Sequence, residues 1–273
     1  MITKILKLGV VAGLAITAAA TAAHATTLRV SITNNAGDSG LSLTPLYFAF
    51  HDGGFTGFNV GQAASPGLEL LAEEGDFGLI RDERVAATTN SAGVVTSQGG
   101  ALTAPGSPFT SAGIPPVIEP GENSSVDLNV DATNRFFNYF SMVIPSNDLF
   151  IGREGLGAEV FDMAGNFLGN QTFQITGANI WDAGTEVNNN SGAAFNTAGG
   201  AGTDENGVVT LAGSSALNAL TGQTGANGLT IGGSPVAFSA TISVSEVPLP
   251  AGAPLVLTGL GLLGFMRARK KKA

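Results

Sequence analysis

Three carboxylates in two short loops are the residues of this sequence best placed to do chemistry. Asp148 follows the hydrophobic run "RFFNYFSMVIP" and the turn residues Ser146 and Asn147, whereas Asp182 and Glu186 bracket "AGT" after the run "NIW". Proline and turn residues end strands, and small residues let carbonyl oxygens and carboxylates converge there. Ca²⁺ binds such oxygens, about six to eight of them at roughly 2.3–2.6 Å. The spacing allows a calcium site of Asp148, Asp182 and Glu186, but neither loop is an EF-hand, and on spacing alone turn formation is the better explanation of these acids.

Residues for an enzymatic site are sparse. His51 is the one histidine after residue 25, and the chain has no G-x-S-x-G motif. A lone histidine at a strand end is more often a hydrogen-bonded structural residue than a catalytic base. The acid pairs Glu73–Glu74 and Asp82–Glu83 could serve a glycosidase, but neighbours in sequence rarely face one cleft, and a solvated helix end and loop explain them better. We therefore predict a non-catalytic protein.

The charge and cysteine content exclude several classes of protein. All 21 Asp and Glu lie between residues 38 and 246. Residues 26–246 contain no lysine and five arginines: Arg29, Arg81, Arg84, Arg135 and Arg153. Such an acidic surface repels nucleic acid and suits divalent cations, although solubility alone would also explain it. Cysteine is absent, which rules out disulfides and thiolate zinc sites, so stability must come from the core or from a metal.

The elements that would position these carboxylates are mostly strands. Four segments alternate apolar and polar residues: "TTLRVSITN", "PLYFAFH", "SSVDLNVDA" and "PVAFSATISV". The period of two predicts half-buried strands. The predicted inward residues are Leu28, Val30, Ile32, Leu46, Phe48, Phe50, Val126, Leu128, Val130, Val236, Phe238, Ala240, Ile242 and Val244. Two facing antiparallel sheets would bury these stripes, which gives an all-β sandwich.

One short helix and two long loops complete the predicted domain. Ser65 suits an N-cap, Pro66 the first helical position and Gly75 the end of that helix. Segments 86–111 and 188–227 consist largely of Gly, Ala, Ser, Thr and Asn. Because such residues bury little surface, we expect long loops there, with "SALNAL" as a helical turn in the second.

The two termini have the composition of targeting signals. Lys4 and Lys7, the apolar stretch 8–20 and "AHA" predict a secretory signal peptide at residues 1–25. Residues 247–273 contain "VPLPA", an apolar segment and a basic end, and this order resembles the bacterial PEP-CTERM sorting signal in its VPLPA variant. The resemblance implies transient anchoring in the inner membrane of a bacterium through the C-terminal helix, and removal of that tail by an exosortase-type protease.

The segment between these signals resembles the spondin domain of extracellular matrix proteins. The resemblance is carried by "LTPLYFAFHDGGF", "ASPGLELLAEEGD", "FFNYFSMVIPSNDLFIG" and "DAGTEVN". It implies a sandwich of about eight antiparallel strands with C2-like topology, a calcium ion held by Asp148, Asp182 and Glu186, and a role in adhesion. Asn147 stands where that family usually has proline and Leu149 where it usually has tryptophan, so partner specificity need not be shared.

These observations predict three regions: a signal peptide (1–25), a spondin-like β-sandwich (26–246) and a sorting signal (247–273). The predicted function is a secreted or cell-surface calcium-binding adhesion module that binds extracellular polysaccharide or a cell-surface ligand. Two alternatives stay open, namely a purely structural matrix component and, more weakly supported, a carboxylate-based polysaccharide hydrolase.

Overall fold

The computed structural model describes residues 25–103 and 116–248. Nearly all of the predicted signal peptide and sorting signal lies outside these residues. Within them the chain forms twelve strands: β1 (Ala25–Asn34), β2 (Ser42–Leu43), β3 (Leu46–His51), β4 (Gln98–Leu102), β5 (Asn123–Asp131), β6 (Phe136–Ile144), β7 (Leu149–Gly152), β8 (Ala158–Glu159), β9 (Gln171–Thr176), β10 (Ile180–Asp182), β11 (Thr210–Leu211) and β12 (Ser239–Glu246). The α-helices there are α1 (Pro66–Glu74), α2 (Gly78–Ala87) and α3 (Ser214–Ala219).

The strands form two antiparallel sheets arranged as a sandwich. The first sheet has the order β5-β1-β12-β9, so that β5 and β9 are its edges. The second has the order β11-β10-β7-β6-β3-β4, and β2 and β8 also pair with β6. β1 pairs with β12 from Leu28↔Glu246 to Asn34↔Ala240, which joins the beginning and the end of the domain. The predicted fold class is confirmed, and the strand number is higher than expected because three strands have only two residues.

The space between the two sheets holds the main apolar core. β1 and β12 contribute fully buried side chains at the predicted positions: Leu28, Val30, Ile32, Ala240, Ile242 and Val244. Phe48, Phe50 and Phe137 face them from the second sheet. Burying a side chain of this size stabilises the fold by about 1.5–3 kcal/mol, so these stripes fix which face of each strand points inward.

A second apolar core lies on the outer face of the second sheet. Tyr47 of β3 and Phe140 of β6 pack there with Leu68 and Leu71 of α1 and Ile80 of α2. All six residues of β3 are therefore buried. The sequence predicted a half-buried strand here, which is wrong because the two helices cover the face that was expected to meet solvent.

Helix α1 has the predicted ends. The Leu68 amide donates to the Ser65 hydroxyl (3.1 Å), Pro66 begins the helix, and Gly75 ends it with φ of 67°. Helix α2 was not predicted, whereas α3 covers the segment predicted as a helical turn. The apolar pattern of α2 is weak since one of its buried residues is Arg84, which donates to the Tyr47 hydroxyl (2.7 Å).

Some positions differ from the predicted stripes and loops. Val126 is 38% exposed on the edge strand β5, and Val236 is 42% exposed because it lies in a 3-10 turn before β12. The segments predicted as loops contain β4 in the first and β11 in the second, beside the expected helical turn at α3. In the described residues no helix has the length and apolar character to cross a bilayer.

Candidate metal centre

Asp148 is buried in the turn between β6 and β7. The Ser146 hydroxyl donates to Val143 O (2.6 Å) and accepts from the Leu149 amide (3.1 Å), which closes the turn. Asp148 is fully buried at this point. The local sequence thus ends β6, begins β7 and places one carboxylate inside the protein, at the end of the sheet as predicted.

Donors from the segment 185–188 surround the Asp148 carboxylate. The amides of Thr185 (2.9 Å) and Glu186 (3.1 Å) donate to its Oδ2. The Asn188 side-chain amide donates to its Oδ1 (2.9 Å). Since a buried charge is costly unless it is hydrogen-bonded, these contacts explain how Asp148 is accommodated and why the two acidic loops lie together.

Asp182 is the last residue of β10 and lies beside Asp148. Its Oδ1 accepts from the Gly184 amide (2.8 Å), and its Oδ2 accepts from the same Asn188 side-chain nitrogen (2.9 Å). Gly184 has φ of 69°, and a Cβ there would lie 2.7 Å from the Val208 nitrogen, so this tight turn requires glycine. Burial, followed by the charge of Asp148, raises the pKa of Asp182 to about 6.

The third carboxylate of the cluster belongs to Glu205, which the sequence did not predict. One carboxylate oxygen each from Asp148, Asp182 and Glu205 lies within 4.8 Å of the others. Glu205 is exposed and comes from the Gly- and Asn-rich segment. Its amide donates to Thr185 O (2.8 Å), which fixes its place beside the predicted loop. The acidic pair in "TDENG" was the available sequence signal, but nothing in the sequence showed that this segment folds back.

Glu186, the remaining predicted ligand, lies outside this group. Its Oε2 accepts from the Asn147 side-chain amide (3.1 Å), and burial is the main cause that raises its pKa. Asn147 also donates to Ser191 O (3.0 Å) and accepts from the Asn190 amide (2.8 Å). The structure therefore brings Asp148 and Asp182 together as predicted, adds Glu205, and leaves the Glu186 carboxylate with Asn147.

The chemistry of the donors fits a hard divalent cation. The cluster offers oxygen atoms from three carboxylates and neither nitrogen nor sulfur ligands, which is the ligand type of Ca²⁺ or Mg²⁺ rather than of Zn²⁺. The amide nitrogen of Asn188 bridges Asp148 and Asp182, and rotation of that amide would present its oxygen instead. Asn188 is the last residue of "DAGTEVN" and was not predicted as a ligand.

The residues considered for catalysis have structural contacts. His51 is fully buried, its Nε2 pairs with Asn138 Oδ1 (3.2 Å), and its Nδ1 accepts from the Gly53 amide (3.2 Å). Burial is the main cause that lowers the pKa of His51. Glu83 accepts from the Ser65 hydroxyl (2.7 Å) and the Gly67 amide (2.7 Å), so it holds the start of α1. The contacts of His51 match its structural interpretation, whereas Glu83 was expected in a solvated segment and is instead half-buried within α2.

The fold and the site together define a sandwich-like β domain with an acidic cluster where two loops meet the end of a sheet. The family model Spondin_N matches residues 38–211, more than half of the chain. The chain therefore belongs to the Spondin_N family, which is typical of extracellular matrix and adhesion proteins and generally non-catalytic. A search of curated proteins found no match.

Proposed function

We propose that this protein is a secreted or cell-surface adhesion module that binds calcium and does not catalyse a reaction. The observation that supports calcium binding is the convergence of Asp148, Asp182 and Glu205 within 4.8 Å. Three carboxylates so close together repel one another, and a divalent cation offsets that repulsion. The family supports an extracellular role in adhesion.

Two parts of the chain would hold the cation. Asp148 and Asp182 supply carboxylates from the sheet, and Glu205 supplies one from the segment that folds back. Asn188 would add its amide oxygen after rotation. The role of Glu186 as a ligand stays a prediction. In this structure its carboxylate accepts a hydrogen bond from the Asn147 side chain and lies outside the cluster. When bound, the cation would neutralise negative charge and link the end of the sheet to the segment, which would stiffen one surface for binding a partner.

Terbium titration of the purified protein tests the metal site. Trp181 is the one tryptophan of the chain and precedes Asp182, so Tb³⁺ bound there should show luminescence sensitised by Trp181 that Ca²⁺ displaces. An extracellular site need bind Ca²⁺ only at roughly 10⁻⁴ to 10⁻³ M. Asp182→Asn should abolish the signal, and Asp38→Asn, an exposed acid outside the cluster, should preserve it. Equal luminescence in both variants would contradict the site.

We also propose that the terminal segments direct the protein to the cell exterior. The signal peptide at residues 1–25 and the sorting signal at 247–273 would lead to secretion, transient membrane anchoring and processing by an exosortase-type protease. Extracellular polysaccharide is the proposed partner. A calcium-dependent increase in binding to the producing cell's own polysaccharide would support adhesion, whereas the absence of binding to any surface component would favour the purely structural alternative.

A further inference from the structure

A groove runs between the first sheet's edge strand β9 and the ends of β7 and β10. Its volume is about 500 Å³, which is in the size range of small-molecule sites. We call it the Arg153 groove. The lining side chains used below are Tyr139, Arg153, Thr172, Phe173, Gln174 and Trp181.

Arg153 is the one arginine between residues 25 and 248 that lacks a polar partner among the described residues. Three of the others form salt bridges, and Arg84 donates to the Tyr47 hydroxyl. The salt-bridge pairs are Arg29–Asp127, Arg81–Asp82 and Arg135–Glu159. The Arg153 guanidinium carbon lies 4.9 Å from the centre of the Phe173 ring, and its Nε is buried without a hydrogen bond. Acidic residues outnumber arginines in this domain by 21 to five, so an arginine without a polar partner is unexpected. The Arg153 groove is where that unpaired guanidinium lies.

Tyr139 supplies a second unpartnered polar group. Its side chain is 2% exposed and lines the groove, yet its hydroxyl forms no hydrogen bond with any residue that the structure describes. The ring is buried in the core but the hydroxyl oxygen opens to the groove, where a ligand can pair with it. Glu154 also borders the groove, but its Oε1 accepts from the Val60 amide (3.3 Å).

Trp181 gives the groove a fixed aromatic wall. Its indole nitrogen donates to Gly152 O (3.0 Å), and Phe58 packs against it edge-on with ring centres 5.3 Å apart. The negative face of an aromatic ring attracts the weakly positive C–H groups of a ligand. On the opposite wall, Thr172 exposes a hydroxyl and Gln174 a side-chain amide. The Gln174 Oε1 accepts from the Thr241 hydroxyl (3.0 Å), which leaves its side-chain nitrogen for a ligand.

We propose that the Arg153 groove binds a uronic acid unit of an acidic polysaccharide. The planar guanidinium matches a carboxylate with two parallel hydrogen bonds. Tyr139 and Gln174 pair with sugar hydroxyls, and the C–H face of the ring lies on Trp181. The groove gives the proposed adhesion function a ligand class, and its binding does not require the metal site.

The test measures binding of trigalacturonate to the purified protein by calorimetry, with neutral α-1,4-galactotriose as the matched sugar. EDTA is present throughout, so the result is independent of the proposed calcium site. Short oligomers are used so that binding at the groove is measured without the added repulsion between the acidic surface and the rest of a long chain. Trigalacturonate should bind about tenfold more tightly than galactotriose or more, the usual effect of a charge-assisted pair.

Variants assign the binding to this groove. Arg153→Gln should remove the preference for the acidic sugar, and Arg153→Lys should retain part of it. Tyr139→Phe should weaken both sugars several-fold without lowering the melting temperature, because the hydroxyl has no protein partner to lose. Arg29→Gln, which removes the same charge at an exposed salt bridge, should leave binding unchanged.

Three results would overturn the proposal. They are no binding of trigalacturonate by the folded protein, an unchanged preference in both Arg153 variants, and competition by trialanine at the same concentration as trigalacturonate. The last result would show that the groove recognises a peptide carboxylate beside the β9 edge and not a sugar.

Discussion

Replacement of Asp182 by asparagine should change stability in opposite directions with and without calcium. In the metal-free protein at pH 7, the ionised Asp182 is half-buried and close to Asp148. Asparagine has the same size and keeps an oxygen for the Gly184 amide. Asp182→Asn should therefore stabilise the metal-free protein and remove the stabilisation by calcium.

The raised pKa of Asp182 sets the size of the first effect, the stabilisation of the metal-free protein by Asp182→Asn. The pKa of Asp182 is raised from 3.8 to about 6, which corresponds to an upper bound of about 3 kcal/mol. Screening by solvent at this half-exposed side chain reduces the effect to about 1–2 kcal/mol. Since the raised pKa belongs to an acid, its stabilising contribution is present below pH 3.8 and is lost as pH rises through about 6. The gain from Asp182→Asn in EDTA should thus be largest near pH 7.5 and should shrink by about half at pH 5.

The second effect follows from mass action. At calcium tenfold above its dissociation constant, binding stabilises the wild-type protein by about 1.4 kcal/mol, or roughly 3–6 °C for a domain of this size. Thermal melts of wild type, Asp182→Asn and the control Asp38→Asn, each in EDTA and in calcium, measure both effects. Glu69 of α1 is another acid outside the cluster, but it is unsuitable as a control. It lines a cavity of about 320 Å³ together with Thr185 and Glu205. If wild type and Asp182→Asn respond identically to EDTA, Asp182 is a turn former and the reasoning is refuted.

Three further predictions concern the segment that folds back, the buried histidine and the C-terminus. Glu205→Gln should weaken Tb³⁺ binding about tenfold or more, because it removes a charged ligand. Asp204→Asn, a change of the preceding acid, should weaken binding less, and equal effects of the two variants would exclude Glu205 as a ligand. The pKa of His51 is lowered mainly by burial, so the unfolded chain binds more protons and the free energy of unfolding should fall as pH drops below about 6.5. Urea unfolding at pH 7.5 and pH 5 should show a smaller loss of that free energy for His51→Gln than for wild type. Equal losses in the two proteins would contradict this. Mass spectrometry of the extracellular protein should find a C-terminus near Pro250, and abundant peptides spanning residues 264–267 would contradict processing.

The sequence predicted those features that depend on local pattern. The alternation in β1 fixed its inward face, and Ser65, Pro66 and Gly75 marked the ends of α1, because capping and strand periodicity are properties of neighbouring residues. The turn residues around Asp148 and Asp182 likewise indicated where two strands end. What alternation alone could not reveal is the partner of the outer face of β3, since α1 and α2 meet it only in the folded protein.

Glu205 was missed for the same physical reason. It lies 57 positions after Asp148 in a segment whose composition predicts a loop, and three backbone hydrogen bonds place it: Glu205 N to Thr185 O, Gly207 N to Gly184 O, and Val187 N to Thr203 O. Pairing between distant segments depends on geometry that no local signal encodes. Arg153 shows the same limit, because its lack of a partner becomes visible only when the partners of the other arginines are known.

Asn147 connects the acidic cluster to the segment that folds back. Its side chain donates to Glu186 and Ser191 and accepts from the Asn190 amide. Proline, which the resemblance makes usual at this position, has no side-chain group for any of these bonds. In this chain the turn that holds Asp148 therefore also anchors the Gly- and Asn-rich segment. That segment buries little surface of its own, so its order depends on such contacts, and a cation shared with Glu205 would strengthen the same connection.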